Sequence, residues 1–253
     1  MIGIISDIHA NREALTVVLR ELLGMDLEGI ICLGDIVGYG PDPKWCVDAV
    51  RSSCEVVLCG NHEWGLLYGS GHFNEAADST LAYHRNLLMP RPGQDSQQSQ
   101  RERWDFLKGL PHRHSDDGRL YVHGSPRNPI HEYLRPRDTQ YGREEKLPEN
   151  FSFVSRMAFV GHTHRQGVFT DDFDYVPAED VDYEYECPSG RKAIVNVGSV
   201  GQPRDGDVRA AFATVQGYTV TFHRRDYDVE KVATRIEQSG LDPRNAERLR
   251  EGN

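Results

Sequence analysis

Short apolar runs alternate with stretches of helical period along the first part of the chain, as in layered α/β folds. Ile2 to Ser6 reads as a strand. From Asn11 to Leu23 the residues Ala14, Leu15, Val18, Leu19, Leu22 and Leu23 keep helical spacing, and Gly24 is placed to end that helix. Gly29 to Leu33 predicts a second strand, Pro43 to Arg51 a second helix, and Glu55 to Leu58 a third strand.

Between Trp64 and Leu110 the strand pattern stops. Two polar helical stretches, Asn74 to Leu88 and Gln97 to Leu107, flank a linker rich in Pro, Gly, Gln and Ser, which reads as a helical insertion over about 64–110. Strand patterning returns near Leu120 to Val122, Met157 to Val160, Val168 to Thr170, Ala193 to Val197, Ala210 to Val215 and Tyr218 to His223. Several of these are close neighbours, so antiparallel hairpins are expected in the second half. Asp171 to Glu186 is strongly acidic with interleaved tyrosines and reads as a solvated loop or hairpin edge. From Asp228 onward the pattern predicts one or two terminal helices, and no internal repeat is evident.

A length of 253 residues accommodates one α/β domain spanning 1–253. The formal charge of -10 argues against a broad nucleic-acid surface, which would need clustered Lys and Arg. Five cysteines, Cys32, Cys46, Cys54, Cys59 and Cys187, form neither CxxC pairs nor an even framework, so reduced and largely buried thiols are expected. No stretch has membrane length, and the chain opens on an apolar strand-like run without a basic leader; the expected location is cytoplasmic.

Metal-ligand residue types recur where the predicted strands end. Asp7-Ile8-His9 follows the first strand, Gly34-Asp35 the second, and Gly60-Asn61-His62-Glu63 the third. Val122-His123-Gly124-Ser125 and Val160-Gly161-His162-Thr163-His164 end later apolar runs. Turns at the carboxyl ends of strands in open α/β sheets gather distant residues into one crevice. In extended backbone, residues i and i+2 point the same way, so Asp7 with His9, and His162 with His164, are each expected to reach one face. A lone Asp-x-His is common, but five such groups in one chain point to a metal cluster. Two ions roughly 3.5 to 4 Å apart would acidify a shared water and stabilise charge on phosphorus. His62, beside Asn61, is the candidate general acid for the leaving alkoxide.

These motifs, Asp-x-His, Gly-Asp, Gly-Asn-His-Glu, a later His and Gly-His-x-His, occur here in order from Asp7 to about Gly201 and resemble the calcineurin-like metallophosphoesterase superfamily. The resemblance implies a two-sheet sandwich flanked by helices, a four-layer α/β fold. It implies one metal bound by Asp7, His9, Asp35 and His164 and a second by Asp35, Asn61, His123 and His162, with Asp35 bridging. A metal-bridging hydroxide would attack in line, with His62 as general acid. Imidazole and carboxylate donors favour two divalent ions drawn from Mn, Fe, Ni, Co or Zn.

The run Gly34-Asp35-Ile36-Val37-Gly38-Tyr39-Gly40 lacks the acid and arginine of Gly-Asp-x-x-Asp-Arg-Gly, which marks protein Ser/Thr phosphatases. The chain is more similar to the small prokaryotic phosphodiesterase branch. A phosphodiesterase acting on a small ester is therefore the expected function, and a phosphomonoesterase or protein Ser/Thr phosphatase the alternative. A non-catalytic scaffold of the same fold is the rival of another class. Arg127 and Arg204 are candidate phosphate-binding cations. The insertion is expected near the mouth of the site, as a cap or a dimer surface.

Overall fold

A computed structural model of the chain describes residues 1–69, 75–90, 97–141 and 143–253. The first third alternates strand and helix: β1 (Ile2–Ile5), α1 (Arg12–Leu22), β2 (Gly29–Cys32), α2 (Pro43–Ser53), β3 (Val56–Val57) and α3 (Asn61–Tyr68). Then come α4 (Glu75–Leu88) and α5 (Gln97–Lys108), the hairpin β4 (Arg113–Asp116) and β5 (Arg119–Val122), and the short helices α6 (Asp138–Tyr141) and α7 (Lys146–Ser152). The remainder is β6 (Met157–Val160), β7 (Gly167–Thr170), β8 (Tyr175–Pro177), β9 (Glu184–Glu186), β10 (Ala193–Asn196), β11 (Ala210–Gln216), β12 (Thr219–Arg225), α8 (Val229–Gln238) and α9 (Arg244–Glu251).

Two six-stranded sheets result, ordered β3-β2-β1-β11-β12-β9 and β4-β5-β6-β10-β7-β8. Strands β1, β2 and β3 run parallel, with Ile4 opposite Ile31, and β5, β6 and β10 run parallel in the second sheet. Both faces of the central strands are covered, so β1 and β6 are buried throughout and show no polar alternation. Ile5 packs with Leu15, Val18 and Val47 of α1 and α2, whereas Ile2 and Ile4 pack with Met157 and Phe159 of the other sheet. On the far side Ala158 and Val160 meet Leu147 and Phe151 of α7. The layers are therefore helix, sheet, sheet, helix, the expected sandwich.

Helix α1 matches its prediction closely, because Asn11 is its N-cap and accepts from Ala14 N at 3.1 Å. Other boundaries move. The third strand shortens to two residues, since α3 begins at Asn61, inside what reads in sequence as a turn. Glu63, three residues past Gly60, accepts from Gly60 N at 3.0 Å, the reciprocal bond of a capping box. The acidic segment does form a hairpin edge, and it supplies the outermost strands of both sheets, β8 and β9. The glutamates of β9 resist pairing with other chains, as does the proline that ends β8.

The described part of the insertion includes α4 and α5, whose Leu81, Leu88 and Leu107 join the cluster under the first sheet. The Pro/Gly/Gln/Ser-rich linker falls mostly on residues 91–96, and Asn74 on 70–74, outside the described residues. All five cysteines are free thiols, four buried and Cys54 half-buried. No helix among the described residues is long and apolar enough to cross a membrane.

Candidate metal centre

Each expected ligand group leaves the carboxyl end of a strand: Asp7 and His9 after β1, Asp35 after β2, His123 after β5, His162 and His164 after β6. Asn61 opens α3 after β3. All seven residues and His62 are buried and converge where the two sheets meet. Glu63 ties two of the turns together, accepting from Asp35 N at 2.7 Å, Val37 N at 3.0 Å and Gly60 N. Gly60 must be glycine, because a Cβ there would lie 2.1 Å from Asp35 Oδ1.

The backbone does not follow the extended geometry expected from i, i+2 spacing. Asp7, His9, Asp35, His162 and His164 all have positive φ, between 48° and 65°. Such conformations are disfavoured for residues with a Cβ and persist only where surrounding contacts impose them. Here the bonds from Asp7 N to Gly34 O, from His9 N to Asp35 O and from His162 N to Asp7 Oδ2 do so, at 2.9 to 3.0 Å. As a consequence Asp7 and His9 share one donor group, while His162 and His164 diverge into different ones.

The first group is Asp7, His9 and His164. His9 Nδ1 donates to Val37 O at 3.0 Å, and His164 Nδ1 donates to Gln202 O at 2.5 Å. Those bonds fix the tautomers and leave both Nε2 atoms as lone pairs. The two lone pairs face each other at 3.1 Å. Asp7 Oδ1, buried and without a hydrogen-bond donor, lies 3.0 Å from His164 Nε2 and 3.7 Å from His9 Nε2. Three potential metal donors thus crowd one point, an arrangement that suits a bound cation. Donors about 2.1 Å from one ion stand about 3.0–3.4 Å apart, close to these spacings.

The second group is Asp35, His123 and His162, with Asn61 beside it. His123 Nε2 lies 3.1 Å from His162 Nδ1, 3.0 Å from Asn61 Oδ1 and 3.4 Å from Asp35 Oδ2. The same Asp35 Oδ2 lies 3.8 Å from His9 Nε2 and 3.9 Å from His62 Nε2, so it faces both groups. Its Oδ1 is held by the His62 backbone N–H at 2.8 Å.

Burial drives the protonation states. It is the largest influence on His9, His162 and His164 and holds all three below the usual histidine range, in the neutral form that ligates metal. Burial is also the largest influence on His123 and lowers it, but the charge and hydrogen bond of Asp35 together with the charges of Asp7 and Glu63 outweigh it and raise this imidazole to about 9. The same carboxylate charge that favours a cation on His123 would favour a metal ion beside it. His62 falls to about 4, mainly through burial.

A model of the calcineurin-like phosphoesterase superfamily domain matches residues 1–217. The chain belongs to the calcineurin-like phosphoesterase superfamily. An uncharacterized protein of Methanocaldococcus jannaschii, MJ0912, is 30% identical over 258 residues, covering 98% of this chain and 97% of its own length. The crystal structure of a metallophosphoesterase from Sphaerobacter thermophilus is similar with a TM-score of 0.79 at 33% identity, covering 100% of this chain and 98% of that one. That of a hypothetical protein, PH1004, from Pyrococcus horikoshii shares the fold with a TM-score of 0.75 at 21% identity, over 100% and 99% of the two chains.

Around this donor cluster lie residues the sequence pattern did not single out. Tyr133 stacks on His162 with ring centroids 3.5 Å apart, and Tyr39 sits edge-on to His9 and His62 at 4.7 and 4.8 Å. Tyr39 occupies the run where protein phosphatase relatives are expected to carry acid and arginine. Its turn is clamped by His84 of α4, which accepts from Gly38 N at 3.1 Å and donates to Gly40 O at 2.9 Å. Gly38, at φ +100°, leaves room for His62: a Cβ there would lie 2.1 Å from its Nδ1. Asn196, ending β10, donates to Gly161 O at 2.7 Å and so holds the Gly-His-x-His turn.

The two candidate arginines part company. Arg204 lies over the Tyr39 ring at 5.6 Å, and its charge weighs on His9, His62 and His164. Arg127 is taken up by carboxylates instead: it donates to Glu132 from Nε at 2.9 Å and from Nη2 at 2.5 Å, and pairs with Glu149. Glu132 also accepts from Ser125 Oγ at 2.6 Å and Asn150 Nδ2 at 2.9 Å. Burial opposes its ionisation, but these donors take its pKa from 4.5 down to about 2. Because the folded value is depressed, the stabilisation is complete above about pH 4.5 and is lost as pH falls toward 2. Glu132→Gln is accordingly expected to cost about 1–2 kcal/mol at pH 7, after allowance for partial exposure. Urea unfolding at pH 7 and pH 3 should show that difference shrinking at the lower pH.

Proposed function

We propose that this calcineurin-like phosphoesterase is a dinuclear-metal-dependent hydrolase of small phosphodiesters. The observation that carries the reading is Asp35 Oδ2, a single carboxylate oxygen facing two groups of buried donors. Asp7, His9, Asp35 and His164 would hold one ion, and Asp35, Asn61, His123 and His162 the other. When bound, such a pair supplies an activated water and neutralises charge developing on the phosphoryl oxygens.

The chain's own residues do the rest. Arg204, intermediate in exposure and weighing on the ligand histidines, orients the scissile phosphate by paired N–H donors. Tyr39 and Tyr133 wall the site and limit water around the reacting atoms. His62, with Nε2 turned toward Asp35, donates a proton to the departing alkoxide oxygen. Burial lowers its proton affinity, so that His62, once protonated, would be a strong acid toward the departing oxygen.

The test loads metal-stripped protein with Mn, Fe, Ni, Co or Zn and follows bis-p-nitrophenyl phosphate and p-nitrophenyl phosphate. The expected result is metal-dependent turnover, with the diester preferred. Absence of turnover with every metal would overturn the hydrolase reading and favour a scaffold of the same fold; preference for the monoester would overturn the diester assignment.

A further inference from the structure

A cavity of about 540 Å³ opens beside the centre. Its wall carries four guanidinium side chains, Arg135, Arg137, Arg165 and Arg204, together with Tyr133 and Thr163. Tyr133 is the ring stacked on His162, and Thr163 lies between His162 and His164, so the cavity adjoins the ligand cluster. Among the described residues no Asp or Glu lines it, and the nearest acidic wall is that of an adjoining cavity, where Arg165 shares the lining with Glu179, Asp205 and Asp207. On a chain of net charge -10 this is a local inversion of sign.

Elsewhere carboxylates neutralise guanidiniums, as Glu132 does Arg127, Asp205 does Arg224, and Asp42 does Arg235. The four cavity arginines make no ion pair among the described residues. Arg135 instead lies over the Tyr133 ring at 4.2 Å, and the Arg204 side chain donates to the neutral Gln202 Oε1 at 2.7 Å. Arg248 adds to the crowding: burial and then the nearby Arg204 lower its proton affinity. Like charges gathered on one wall without direct ion pairs repel one another unless an anion balances them.

A simple phosphodiester brings one negative charge, and Arg204 at the metal centre answers it. The remaining three guanidiniums exceed that need. We infer that the cavity binds a second phosphate on the substrate, so that the substrate class is phosphodiesters carrying a further, dianionic phosphate group. This deepens the phosphodiesterase reading and rests on it. Planar guanidiniums suit the task, because each meets phosphate oxygens with two parallel N–H bonds.

The test uses two esters with the same scissile bond and leaving group, thymidine 5′-(p-nitrophenyl phosphate) and its 3′-phosphorylated form. On Mn-loaded protein the 3′-phosphorylated ester is expected to show kcat/KM about tenfold higher or more, mainly through KM, with the advantage shrinking as salt rises. In the Arg135→Ala/Arg165→Ala double variant the ratio should fall toward one. Equal kcat/KM for the two esters in the wild type overturns the inference and leaves the phosphodiesterase reading standing. Cleavage of neither ester overturns that reading, and binding then decides the cavity's role. Calorimetric titration of thymidine 3′,5′-bisphosphate in EDTA should give about tenfold weaker binding for the double variant, and equal affinities would overturn the inference.

Discussion

Asp35→Asn is expected to lower turnover by about a thousandfold or more and to reduce metal occupancy below two ions per chain. The reason is geometric. Asp35 Oδ2 lies 3.4 Å from His123 Nε2 and 3.8 Å from His9 Nε2, so it alone of the carboxylate oxygens faces both donor groups. Amidation removes its negative charge while keeping its shape, and the loss of several kcal/mol of charge stabilisation corresponds to that rate factor. Elemental analysis of the purified variant, paired with diester turnover, checks both halves of the expectation. Wild-type metal content and rate would show that Asp35 is not shared.

The second large effect belongs to His62→Ala, which is expected to keep both metals and lose about 10²–10⁴ in kcat. The loss should be greatest for alkyl esters, whose leaving alkoxide needs a proton, and smallest for nitrophenyl esters, whose leaving group does not. An equal loss on both would exclude proton donation. His62 Nε2 is also 3.9 Å from Asp35 Oδ2 and falls within a third donor group with His9 and Asp35. Loss of an ion along with activity in His62→Ala would therefore move His62 from acid to ligand.

Much of this site could be read from the chain because strand ends announce themselves. The runs Ile2 to Ile5, Gly29 to Cys32 and Met157 to Val160 are apolar because both of their faces are buried, and a polar metal-ligand type two or three residues after each stands out. Helix α1 was equally legible, since its cap, first-turn acid and apolar stripe all agree.

What could not be read depends on tertiary geometry. The left-handed backbone at five ligand residues leaves no mark in residue type, so spacing alone sent His162 and His164 to one face when they serve different groups. Strands β4 (Arg-His-Ser-Asp) and β9 (Glu-Tyr-Glu) are short and polar, and β8 (Tyr-Val-Pro) is only three residues long, because an edge pairs on one side only. Tyr39, Tyr133, His84 and the cavity arginines lie scattered along the sequence, and only folding brings them to one place. The start of α3 was within reach: Glu63 three residues after Gly60 is a capping signal.

The most direct test of a shared Asp35 is a titration of metal-stripped protein with Mn(II), followed by calorimetry and electron paramagnetic resonance. The account predicts two equivalents per chain and an exchange-coupled signal from two neighbouring ions. One equivalent, or two that remain uncoupled, would contradict it.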